Sequence, residues 1–179
     1  MGDVTAYVPV QLTRAFRQAQ SDPTFQCWLK MQEAAMDIEF PYYDLPGLQG
    51  RMFEADTLQV VESALLDMYA NHREAFNESN IHTTMRYAYY IGETMRRAFE
   101  GRWVVLPAND ERSTPMPAID YPFREGFTTP TDSVKIVVNR RTGHELMTTY
   151  GIAQRGYNAW VDAGRPERTF LGKLREEDQ

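Results

Sequence analysis

The imidazoles, thiols and carboxylates of a chain set the chemistry open to it. Three histidines, His72, His82 and His144, lie in separate segments. His144-Glu145-Leu146-Met147-Thr148 opens like the zinc motif H-E-x-x-H, in which two imidazoles four residues apart point to one side of a helix. Thr148 stands where the second imidazole belongs, so no metal site is expected. Cys27, the sole cysteine, lies between Gln26 and Trp28 on an amphipathic segment. A reactive thiol needs a cationic, partly open setting, and a buried, inert cysteine is expected here instead. The patterns G-x-S-x-G, G-x-x-x-x-G-K-[ST] and G-x-G-x-x-G are missing, and with them the nucleophile elbow and the phosphate cradles. Glu93 precedes Arg96 and Arg97 by three and four residues, the spacing of ordinary helical ion pairs. A catalytic glutamate would need a desolvated pocket and a partner that raises its pKa. No catalytic residue, metal ligand or cofactor is assigned.

The most individual string runs over residues 89–103. Gly92 sits inside a helical pattern, where glycine costs up to ~1 kcal/mol against alanine, so close approach of another backbone is expected there. Gly101 stands where a left-handed cap stops a helix, and Trp103 opens a strand that can fold back. The string resembles the Y-x-G-E-x-x-R-x-x-x-G-x-W signature of small bacterial proteins of uncharacterised type, some of which look like immunity or accessory proteins of toxin systems. The matching positions are Tyr90, Gly92, Glu93, Arg96 or Arg97, Gly101 and Trp103, and the likeness covers fifteen of 179 residues. It implies a helix-then-strand unit, with Gly92, Glu93, Arg97, Gly101 and Trp103 as a packing junction, more than an activity.

These residues must be positioned by a helix-rich frame. Helical spacing predicts a helix over 10–20, with Leu12, Phe16 and Ala19 on one face. A second starts at Ser21-Asp22-Pro23, a polar cap followed by a first-turn proline, and carries Phe25, Trp28, Leu29, Gln32 and Met36 until Pro41 ends it. Residues 42–47 read as a loop. A third helix begins near Asp56 with the stripe Leu58, Val61, Leu65 and Met68. A fourth runs from Ser79-Asn80 to Phe99, with Met85, Tyr89, Gly92, Met95 and Phe99 inward. Residues 103–106 read as a strand, and 107–130 as a long proline-punctuated connection holding one short strand near Ile119-Asp120-Tyr121. Residues 134–138 fit a helix capped at Thr129-Pro130 and equally a β-branched strand; periodicity leaves both open. A last helix covers 145–163. The expected class is α+β, a helix-rich single domain over 1–172 with a small sheet in its C-terminal half and a disordered tail at 173–179.

Apolar residues are 42% of the chain, enough for a core. Nineteen basic against twenty-five acidic residues leave a net charge of −6, which disfavours a nucleic-acid binder. No run approaches the ~18 apolar residues of a membrane span. The first six residues lack a signal-peptide pattern, and Ala6 stands where myristoylation needs Ser or Thr. One cysteine fits the reducing cytoplasm. Ten tyrosines are many for this length, and tyrosine is enriched where proteins meet. Tyr87, Tyr89 and Tyr90 cannot share one helix face, so at least one is expected to point away from the core. The leading expectation is a non-enzymatic protein-binding protein, an immunity-type inhibitor that occludes the active site of a basic toxin domain. Its contact residues would be Tyr42, Tyr43, Asp44, Asp110, Glu111 and Asp120. The alternatives are a phage or secretion-machine assembly protein, and a small enzyme in which Glu93, Arg97, His82 and His144 converge.

Overall fold

The computed structural model describes residues 8–172. The readings at the first six residues and the tail expected at 173–179 lie outside the described residues. A 3-10 turn at Val10–Leu12 leads into α1 (Arg14–Ala19) and α2 (Pro23–Ile38). A π-type turn at Phe40–Asp44 and a 3-10 turn at Pro46–Leu48 connect to α3 (Thr57–Met68), α4 (His72–Ala75) and α5 (Ile81–Ala98). Then come β1 (Arg102–Leu106), β2 (Met116–Asp120), α6 (Pro130–Arg140) and α7 (Glu145–Asp162). The strands pair antiparallel, with Arg102 opposite Asp120 and Leu106 opposite Met116. The fold is α+β, with the sheet in the C-terminal half.

Caps explain the breaks between the first elements. The Thr13 hydroxyl accepts the Phe16 N–H at 3.1 Å, so α1 starts four residues later than periodicity suggests. Asp22 accepts from Thr24 and Phe25 and starts α2, with Pro23 at its first position. Both exposed strand edges are closed. The Gln20 amide donates to the Val105 carbonyl and accepts its N–H, each at 3.0 Å, while Thr128 exchanges backbone hydrogen bonds with Ile119.

The larger of two apolar clusters surrounds α5, and the smaller joins Phe16 to Val104, Leu106 and Ala118 across the sheet. Residues 87–95 are all buried. Tyr87 and Tyr90 are 0% exposed and Tyr89 6%, so none of the three tyrosines points away from the core. The expectation fails because α2, α3, α6 and β2 pack around α5, and its stretch 87–95 is covered on every side. Tyr90 accepts the Phe53 N–H at 2.8 Å and meets the Thr57 hydroxyl at 2.7 Å, which satisfies its buried oxygen.

Two further expectations are corrected. The left-handed residue that stops α5 is Glu100, at φ 51°, and the Gly101 N–H reaches back to the Arg96 carbonyl at 3.0 Å. Glycine is needed at 101 for space, since a Cβ there would lie 2.7 Å from Ile119 Cγ2. Cys27 is exposed, not buried, because α2 turns Phe25, Gln32 and Met36 inward. Residues 134–138 are helical. Val134, Val137 and Val138 fill the core at three- and four-residue steps, and that burial outweighs their β preference. Among the described residues no helix is long and apolar enough to cross a membrane.

Candidate functional site

Among the described residues three carboxylates are buried, and each is consumed by the fold. Glu62, on α3 and 0% exposed, accepts the N–H groups of Glu145 and Leu146 at 2.9 and 2.8 Å, which caps α7 across the core. Glu93, on α5, takes Arg96 twice at 2.8 Å, Arg97 at 2.7 Å and the Trp103 indole N–H at 3.0 Å. Burial pushes its carboxyl upward in pKa, but these donors outweigh it and hold the group below the usual carboxylate range. Asp120, at 2% exposed, accepts Arg102 at 2.9 Å and Arg168 at 2.6 Å. It was expected on the surface. It is covered because Arg102 stands opposite it on β1 and Arg168, beyond α7, lies across it.

The motif residues do meet. Trp103 stacks on Tyr89 at 5.1 Å and meets Trp28 edge-on at 5.6 Å. A Cβ at Gly92 would lie 2.3 Å from the Trp103 ring and 2.8 Å from the Pro130 ring, so side chains make the close approach there and not the backbone that was expected. Arg97 lies over the Phe53 ring at 4.1 Å. Burial, and then the charge of Glu93, push the Tyr89 hydroxyl up to about 12. The arrangement is a closed knot of packing and ion pairs, which the helix-then-strand reading anticipates. Its carboxylate has no free lone pair facing a cavity.

A cleft of about 480 Å³ is lined by none of these residues but by Glu100, Arg102, Asp120, Trp160, Arg165 and Arg168, among others. Its guanidinium groups face carboxylates, Arg102 and Arg168 on Asp120 and Arg165 on Glu100 at 2.9 Å. His72 bonds Asn139, His144 bonds the Thr142 carbonyl, and His82 sits exposed at the start of α5. Of the quartet Glu93, Arg97, His82 and His144, only the first two touch. Among the described residues no group of three potential ligands could hold a metal.

The exposed candidates lie elsewhere. Pro41 has no N–H, so the ladder of α2 cannot continue through it, and the chain widens into the π-type turn, closed by the Leu45 N–H on the Phe40 carbonyl. Phe40 is 0% exposed and packs between Tyr87 at 4.9 Å and Tyr90 at 5.1 Å. Arg86 grips Asp44 with two hydrogen bonds, at 2.5 and 2.9 Å, and the Tyr87 hydroxyl donates to the Asp44 carbonyl. Gln49 donates to the Pro41 carbonyl at 3.0 Å. The pinned turn holds Tyr42 at 55% and Tyr43 at 80% exposure. Asp44 is thus part of the mount, its charge neutralised by Arg86, and not the free acidic contact that was expected. Asp110 and Glu111 are exposed in the connection between β1 and β2, and they share no hydrogen bond with the tyrosine turn. The six expected contacts therefore divide into two exposed tyrosines, two exposed acids on another loop, and two paired acids. Arg86 and Phe40, which fix the turn, carry no sequence signal beyond their closeness to Pro41 and to the α5 tyrosines. Comparison of the chain with protein-family models, curated proteins and solved structures finds no match.

Proposed function

We propose that this chain is a non-enzymatic protein-binding protein whose anchor is the turn bearing Tyr42 and Tyr43. The observation that carries this reading is the pairing of two highly exposed aromatic side chains with an immobilised backbone. Tyrosine offers a large, stiff, amphipathic contact area, and a pre-ordered turn spares the entropy of fixing it on binding. π-type turns also recur at functional sites. The net charge of −6 favours a basic partner, with Asp110 and Glu111 speeding its approach. The finer reading is an immunity-type inhibitor that lays the turn over the active site of a toxin, in the reducing cytoplasm. Affinity capture at low salt from the native host, with the wild-type chain and a Tyr42→Ser/Tyr43→Ser variant side by side, tests it. A protein retained by the wild type and lost from the variant is expected. Recovery of no protein, or of the same proteins by both chains, contradicts the reading.

A further inference from the structure

Helix α2 has a second face. Phe25, Gln32 and Met36 turn inward. On the other side Thr24, Cys27, Met31, Ala34 and Ile38 follow at steps of three, four, three and four residues, and all five are exposed. Met31 is 59% and Ile38 64% exposed, values high for side chains of that size and polarity. Alternating steps of three and four are the seam along which two helices pair in a coiled coil.

We infer that a second copy of this chain covers the seam, its α2 running antiparallel across a two-fold axis. The side chains fit such a pairing. Met31 falls against Ala34 of the second copy, large on small, and Cys27 against Ile38, so four layers repeat about the axis. Charge selects the direction. The same register sets Lys30 of each copy beside Asp37 of the other, twice by symmetry. Both residues are exposed, and neither is ion-paired within the described chain. A parallel pairing would set Lys30 beside Ala35, which offers it no counter-charge. The tyrosine turn lies past the end of the helix, so the dimer presents two such turns at opposite ends of the seam. This inference does not depend on what those turns bind.

Sedimentation of the full chain across a concentration series should show a monomer–dimer equilibrium. Ile38→Glu should melt with the wild type at dilutions where both are monomeric, and should stay monomeric at concentrations where the wild type pairs. Lys30→Asp, which creates two repulsive pairs, should weaken the dimer about tenfold, and adding Asp37→Lys should restore it. Under mild oxidant Ile38→Cys should give a covalent dimer through the native Cys27 of the other copy, whereas the wild type should not crosslink, its two thiols being about 16 Å apart along the axis. A chain monomeric at every concentration, a dimer indifferent to these substitutions, or crosslinking of the wild type through Cys27 alone would overturn the inference.

Discussion

Glu93 shows how far a single side chain can be read. Its spacing to Arg96 and Arg97 makes the ion pairs legible. The third donor is not, because Trp103 reaches the carboxylate only after the chain has turned at Glu100. That donor converts a surface pair into a buried one. Glu93→Gln should therefore cost about 1.5–3 kcal/mol, the range for hydrogen bonds to a charged group. The folded carboxyl titrates below its ordinary value of 4.5. Its ionised form thus stabilises the fold above that value, and the contribution disappears as pH falls through the depressed folded pKa. Urea unfolding of both chains should show a gap that is widest at neutral pH and closes in acid. A gap constant with pH would mean that packing, not charge, is what glutamate supplies. Cys27 shows the opposite case: residue type favoured burial, and only the orientation of α2 decides its exposure.

At the scale of elements, the long periodic helices were legible and their junctions were not. Stripes such as Leu58, Val61 and Leu65 announce α3 because burial follows helical period. The four-residue α4 has no such stripe, and Asn71 caps it locally. The junction of α5 with β1 depends on Gly92, where the indole leaves no room for a Cβ. Gly92→Ala should destabilise by about 1–3 kcal/mol through overpacking. Because the clashing atoms belong to the six-membered ring of Trp103, Trp103→Phe should recover part of that loss, and thermal melts of the four chains in a double-mutant cycle will read the coupling. Strict additivity would contradict the contact. The link from α3 to α7 is a second long-range device. Glu62→Ala should remove the acceptor of the Glu145 and Leu146 amides and cost about 2 kcal/mol. Hydrogen exchange should then quicken at the start of α7 first. Nothing in the sequence pairs residues 62 and 145, since their meeting is set by how α3 and α7 cross.

For the whole molecule, composition and charge pointed to an acidic, tyrosine-rich exterior, and the fold redistributes those residues. Of the nine described tyrosines five are buried, Tyr87, Tyr89 and Tyr90 on α5 itself, Asp120 is enclosed by arginines, and Asp44 becomes a mounting point. Tyr42 and Tyr43 stay outside because Pro41 breaks the helix and Phe40 ties the turn down. Tyr42→Ser/Tyr43→Ser should accordingly leave unfolding within about 0.5 kcal/mol of the wild type. Loss of binding with unchanged stability would separate a contact role from a structural one. The most direct test is hydrogen exchange on the complex recovered from the native host. Slowed exchange over residues 39–49, with lesser protection around Asp110 and Glu111, is the predicted footprint. Protection confined to the cleft of Arg102, Arg165 and Arg168, with the tyrosine turn unchanged, would contradict it.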